Sequence, residues 1–148
     1  MNIYLKKFIQ KIKPKTAFDF GCGDGFDVAG ARNMDVDAAG LDLPECDMNY
    51  PQKVGQYDLV YSNYVFPFVK NKKMFVSNLY NNLKIGGSVF VATFSLEDET
   101  FKQQGISKED LSKLFSVFND VEIEEKKYYD NEEDHQHWHK LLILKGQK

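Results

Sequence analysis

The stretch Ala17-Phe18-Asp19-Phe20-Gly21-Cys22-Gly23-Asp24-Gly25 constrains this chain more than any other. An apolar, aromatic run surrounds one acid, and three glycines follow at every second position. The run reads as a buried strand over Thr16 to Phe20. Alternate glycines then let the backbone turn sharply and approach a ligand with no Cβ in the way. A helix is expected straight after, from Asp24 to Asn33, with Val28, Ala29 and Ala31 inward. Strand, glycine turn and helix in that order make a cradle for a nucleotide-type cofactor at the carboxyl end of a first strand. The dinucleotide pattern is G-x-G-x-x-G. Gly21 and Gly23 fit it, but Gly25 comes one position early and Phe26 stands where the third glycine belongs. On these residues alone, Gly21 and Gly23 also suit a plain tight turn.

A second acid extends the pattern. Val36 to Leu41 reads as a short strand, and Asp42 follows it directly. That is about 20 residues after the glycine turn, the separation expected of an acid that holds ribose hydroxyls. A carboxylate suits that task because it accepts two hydrogen bonds from a vicinal diol. The alternative for Asp42 is a helix-cap acid. Only the fifteen residues 43–57 then lie before Asp58. A full crossover with its helix and a further strand needs roughly twice that length. The second helix is therefore expected to be lost or reduced to a turn, and a third strand to be vestigial or an extended edge around Cys46 to Met48.

Beyond it, Tyr57 to Ser62 reads as a strand, Lys72 to Leu83 as a helix with Phe75, Leu79 and Leu83 on one stripe, and Gly87 to Phe94 as a strand. Leu96 to Gly105 reads as a polar loop. Ser107, with Asp110 three residues on, caps a helix ending near Val117. A strand begins at Val121-Glu122-Ile123-Glu124, Asp130 to Asp134 form an acidic turn, and Trp138 to Lys145 make a closing strand with Leu141 to Leu144 buried. Alternating strands and helices imply an α/β fold with a mostly parallel, doubly wound sheet and helices on both faces. The final hairpin makes the last strand antiparallel.

At 148 residues the chain reads as one domain, long enough to bury about two thirds of its unfolded surface. A 43% hydrophobic content excludes a wholly disordered chain. A net charge of −3 and a single arginine, Arg32, argue against nucleic acid as a partner. Cys22 and Cys46 make no disulfide framework and, with no signal peptide, suggest a reducing cytoplasm. No apolar run approaches the ~20 residues that span a bilayer. Residues 1–13 read as an amphipathic helix, with Ile3, Tyr4, Phe8, Ile9 and Ile12 at helical spacing against Lys6, Lys7 and Lys11, stopped by Pro14. Its lysines suit a solvated face on a packing helix, a membrane surface or an acidic partner.

Taken in order, Asp19-x-Gly21-x-Gly23-x-Gly25, the Tyr57-Asp58-Leu59-Val60 strand, and Leu83-Lys84-Ile85-Gly86-Gly87 with the following strand resemble three motifs of the class I S-adenosylmethionine-dependent methyltransferases. The resemblance runs over about residues 16–145 and is similar to the methyltransferase type 11 and tellurite-resistance-like branch, with Ile85 where the family carries proline. It implies a Rossmann-like sheet, S-adenosyl-L-methionine as cofactor and S-adenosyl-L-homocysteine as product. It implies that Asp19, Gly21, Cys22, Gly23 and Asp24 meet the methionine end, and Asp42 with Leu43 the ribose. Asp47 and Met48 resemble the pair that holds adenine, and Ser62 and Asn63 would lie beside the sulfonium. Asp47 reads equally as a surface acid.

Methyl transfer is an in-line displacement that depends mainly on alignment. A base is not obligatory. Tyr64, Phe66 and Phe68 follow the end of a strand, where ligands bind in open α/β sheets. They suit a substrate wall or core. His135, His137 and His139 alternate, on one face of a strand, at the cofactor edge of the sheet. They suit a general base or substrate ligand, a zinc site, or polar hairpin surface. His137, His139 and Tyr64 are the catalytic candidates; no metal is assigned. Cys22 lacks a neighbouring base for a nucleophilic role. The expected acceptor is a small molecule, since no further domain grips a macromolecule. The rival readings are a non-catalytic cofactor-binding protein that pairs with a second copy or a partner chain, an NAD-dependent reductase, and an RNA methyltransferase.

Overall fold

The structure, a computed structural model, describes residues 1–132 and 135–148, and side chains outside 130–136. Its strands are β1 (Thr16–Phe20), β2 (Asp37–Leu41), β3 (Tyr57–Asn63), β4 (Leu83–Phe94), β5 (Asn119–Glu132) and β6 (His135–Gln147). The helices are α1 (Ile3–Ile12), α2 (Phe26–Arg32), α3 (Lys72–Asn81) and α4 (Lys108–Leu114). The six strands form one sheet in the order β2-β1-β3-β4-β6-β5. Pairs among the first four are parallel, and β6 runs antiparallel to β4 and β5. This is the expected mixed α/β sheet with its antiparallel last strand. β2 and β3 lie on opposite sides of β1, so the glycine loop leaves β1 at the point where the strand order reverses, where such sheets bind ligands.

The alternation of β1 divides the core. Phe18 and Phe20 face the layer that holds Phe75, Leu79, Leu111 and Phe115 of and beside α3 and α4. Ala17 faces the layer of Leu5, Phe8 and Ile9 of α1 with Val28 and Ala31 of α2. Asp19, between the two phenylalanines, shares the face of Ala17. Both faces of the sheet are thus buried, as parallel strands with nearly continuous apolar runs require. On α1 the buried stripe is Leu5, Phe8 and Ile9, while Ile3 is exposed. Asn2 caps this helix, its side chain accepting from the Tyr4 and Leu5 amides.

Several boundaries differ from the sequence reading. Helix α2 starts at Phe26 rather than Asp24, because Gly25 sits in the left-handed region as its N-cap; Ala29 is exposed. Helix α3 stops at Asn81, and Leu83 opens β4 by pairing with Tyr57. The pairing resumes at Leu59 with Ser88, so Lys84 to Gly87 bulge out of the ladder and leave Ile85 almost fully exposed. Helix α4 ends at Leu114, short of Val117. The backbone of Asp130 to Glu132 belongs to β5 rather than to a turn; Glu133 and Asp134 lie outside the described residues. His135 opens β6, though its side chain also lies outside them.

The second crossover helix is lost, as its length required, and residues 42–56 hold no strand either. Two buried asparagines one helical turn apart on and after α3 take over. Asn78 donates to the Met48 and Tyr50 carbonyls and accepts from the Gln52 amide. Asn82 accepts from the Val54 and Gly55 amides and donates to the Gln52 carbonyl. They supply the backbone partners that a helix or strand would have provided internally.

Candidate active site

The carboxyl ends of β1, β2 and β3 converge on the glycine loop. Gly21, Gly23 and Gly25 all have positive φ, at 82°, 52° and 80°. The Gly21 amide donates to the Leu41 carbonyl at 2.8 Å, which folds the loop back across β2. A Cβ on Gly21 would lie 2.2 Å from Val65 Cγ2. The loop closes on Asp42: the Gly23 amide donates to Oδ2 at 2.5 Å and the Leu43 amide to Oδ1 at 2.7 Å. Leu43 itself is exposed. The spacing of Gly23 and Asp42 read from the sequence is thus a direct contact, and each carboxylate oxygen keeps a further lone pair.

Behind the loop lies a group of acids. Asp19 is buried, and its Oδ1 has no hydrogen-bond partner. Burial pushes its carboxyl well above the usual range, and the carboxylates of Asp27 and Asp42 push it further. Asp27, in the first turn of α2, accepts from Asn63 Nδ2 at 2.7 Å and from the Asn2 amide at 2.6 Å. Asn63 Oδ1 is also buried without a partner. Two buried acceptors beside a carboxylate require a donor. Cys22 flanks them, and burial followed by the Asp19 and Asp42 charges pushes its thiol up, away from a reactive thiolate.

Other expected residues do different work. Asp24 accepts from the Phe26 amide in a local turn just before α2. Ser62 is buried and donates to the Phe20 carbonyl at 2.6 Å, tying β3 to β1. Asp47 accepts from the backbone and side chain of Asn49 in a local turn. Met48 packs in the core with Phe20, its sulfur 3.9 Å from Asn78 Nδ2. Tyr64 sits at a φ of 63°, and its hydroxyl accepts from Asn2 Nδ2 at 3.0 Å. Burial, reinforced by Asp27, drives its ionisation upward, so the phenol stays protonated.

At the same edge, β6 extends past the end of β4, whose last pair is Phe94 with Leu141. His139 and half-buried His137 project there, their rings 4.4 Å apart. His139 is buried, and its Nδ1 lies 2.9 Å from Oδ2 of the fully buried Asp98. Asp98 also accepts from the Thr100, Phe101 and Lys140 amides. Burial opposes its charge, but the Phe101 amide and His139 bonds outweigh that and hold its carboxyl below the usual range. Rings join the two halves of the site: Tyr64 to Phe94 at 5.5 Å, Phe94 to His139 at 5.1 Å, and Phe94 stacked on Phe101 at 4.1 Å. Among the described residues no group of three His, Cys, Asp or Glu side chains is placed to hold a metal ion. None of the described helices is long and apolar enough to cross a membrane.

Sequence reasoning missed Asp27 and Asp98. Asp27 follows Asp24 by three residues in the first turn after the glycines, which was a usable signal. Asp98 lies in a loop of acids, and only the fold brings it to His139, 41 residues away.

Residues 4–144 match the methyltransferase domain family. No curated protein matches the chain in sequence. Solved structures do. The phosphoethanolamine N-methyltransferase 2 of Haemonchus contortus, bound to phosphomonomethylethanolamine and S-adenosylhomocysteine, superposes with a TM-score of 0.76 at 17% identity, over 99% of this chain and 53% of that one. TehB of Haemophilus influenzae gives 0.69 at 13% identity, over 100% and 62%. A methyltransferase-like protein of Bacillus halodurans gives 0.71 at 16% identity, over 97% and 98%. The chain belongs to the methyltransferase domain family, and its fold is that of the class I S-adenosylmethionine-dependent methyltransferases.

Proposed function

We propose that this protein transfers a methyl group from S-adenosylmethionine to a small-molecule acceptor. The observation that carries the reading is the pairing of a glycine loop closed on Asp42 with buried, donor-less acceptors on Asp19 and Asn63. That set of acceptor oxygens fits the cofactor. The lone pairs left on Asp42 suit a ribose diol, and the Asp19, Asp27 and Asn63 oxygens suit the cationic methionine end. The bound cofactor supplies an electrophilic methyl on sulfur. The chain's own residues then orient and dry the reaction. Gly21 and Gly23 permit backbone approach, Asp19 and Asp27 balance positive charge, and the Tyr64–Phe94–Phe101 rings exclude water on the acceptor side. His139 takes the acceptor's proton. Asp98, whose Oδ2 lies 2.9 Å from His139 Nδ1, is a positioning residue that holds the ring.

Calorimetric titration with S-adenosylhomocysteine, on the protein and on Asp42→Ala, tests the reading. The expected result is micromolar binding that the substitution weakens by about 1–3 kcal/mol, through polar partners left unpaired. Absence of binding overturns it.

A further inference from the structure

A groove of about 240 Å³ runs between α1 and the last two strands, on the sheet face that α1 covers. Four lysines line it from three elements: Lys7 and Lys11 of α1, Lys126 of β5 and Lys145 of β6. Glu124 is the one carboxylate among them. It is already engaged, accepting from Lys145 Nζ on one oxygen and from Lys126 Nζ on the other. Those lysines, Lys126 first, hold its carboxyl down at about 2. At neutral pH it therefore balances one of the four charges, and three remain. Lys145 is not a loose surface arm: its side chain is 23% exposed, and its ammonium lies 5.9 Å over the Phe8 ring. Lys7 and Lys11 have no ion pair among the described residues. Like charges four apart on one helix face repel, and residues 1–15 hold five lysines and no acid. The helix carries that repulsion in a chain whose net charge is −3.

Converging ammonium groups with N–H donors to spare suit a multiply charged anion. A phosphate monoester brings close to two negative charges and three acceptor oxygens, so it meets several lysines at once, where a carboxylate brings one charge. Lysines recognise such a group as point charges, without the planar fork of arginine. Tyr4 and Ile143 set apolar surface beside the charges. The volume lies below that of a drug-sized ligand pocket, which selects a compact molecule, and a concave site does not match a flat bilayer. We propose that this groove is a second ligand site, separate from the glycine loop, and that it takes a small organic phosphate, with the phosphate among Lys7, Lys11, Lys126 and Lys145 and the organic part against Tyr4. The inference stands apart from methyl transfer and does not depend on it.

Ligand-observed NMR titration at fixed ionic strength tests the site with phenyl phosphate, phenylacetate and benzyl alcohol. The expected dissociation constant for phenyl phosphate is at least fivefold below that of phenylacetate and at least tenfold below that of the alcohol. Lys7→Gln combined with Lys11→Gln should weaken phenyl phosphate at least tenfold; glutamine keeps the helix propensity of lysine. Lys6→Gln combined with Lys13→Gln makes the same change of charge at exposed positions outside the groove, and should leave the affinity within twofold. Saturating S-adenosylhomocysteine should not displace the probe. Equal weakening by the two pairs would mean that the overall charge of α1 attracts the anion, and overturns the proposal. Affinity for phenylacetate or the alcohol equal to that for phenyl phosphate overturns it as well. So does displacement by S-adenosylhomocysteine, which would put the phosphate at the glycine loop. Displacement by phosphatidylserine vesicles at matched phosphate concentration would make this face a membrane contact, and equally overturns it.

Discussion

The glycine loop and the linker that follows β2 meet at Asp42, and they are held in opposite ways. The loop is shaped by its own backbone: three glycines at positive φ, and a carboxylate that the Gly23 amide reaches directly. The linker, residues 42–56, has no regular structure of its own. It is held from outside, by Asn78 and Asn82 in the helix region 30 residues later. One half of the site is therefore specified by local conformation, and the other by two buried side chains on a distant element. Substitutions should separate the two modes.

Gly21→Ala should show the largest effect. The new Cβ would meet Val65 Cγ2 at 2.2 Å, Cγ1 at 3.1 Å and Cβ at 3.2 Å, so no rotation of the valine clears it. Left-handed backbone adds about 1–2 kcal/mol, and overpacking about 1–3 kcal/mol. A loss near 3 kcal/mol is expected by urea denaturation, with S-adenosylhomocysteine binding abolished. Gly23→Ala is the control, since its Cβ would find only Asp42 Oδ2 at 3.9 Å. It should lose only the backbone part. Equal losses at the two positions would mean that φ, and not the contact with Val65, sets the loop.

Asn82→Ala comes next. It leaves the Val54 and Gly55 amides and the Gln52 carbonyl without their partner. Unsatisfied polar groups in a partly buried segment should lower stability by about 2 kcal/mol. Hydrogen exchange should quicken across residues 50–56 while the Gly21 and Gly23 amides keep their protection. Uniform exchange over both regions would erase the distinction between a self-shaped loop and a held linker.

What the sequence made legible follows the same division. The β1 strand, the loop, Asp42, the β3 strand and the antiparallel last strand all rest on local signals: apolar runs, alternate glycines, a hairpin. Asp98, Asn78 and Asn82 rest on none. Their roles depend on partners brought in by the sheet order β2-β1-β3-β4-β6-β5. An asparagine at α3 carries no mark in the sequence that tells a linker anchor from a surface amide. Leu83 illustrates the competition. It continues the apolar stripe of Phe75 and Leu79, yet pairing with Tyr57 draws it into β4. Met48 shows the converse, an apolar residue beside a site acid that the core with Phe20 absorbs.

Asp19→Asn should give the smallest change in stability, and its sign is diagnostic. Burial first, and then the Asp27 and Asp42 charges, raise the Asp19 carboxyl well above its usual range. The unfolded chain titrates near 4. A folded-state value above that means the contribution of this group to stability is complete below about pH 4 and is lost as pH rises through the raised value. Asparagine has the same shape and no charge, so the variant should be slightly more stable than the wild type at pH 8 and indistinguishable from it at pH 4. The same change removes a carboxylate from the side that would face the methionine ammonium, so S-adenosylhomocysteine should bind more weakly. A gain in stability together with a loss of affinity is what a buried acid kept for a cationic ligand requires. A loss of both would instead make Asp19 a structural anchor of β1, and would leave Asp27 and Asn63 to hold the cation alone.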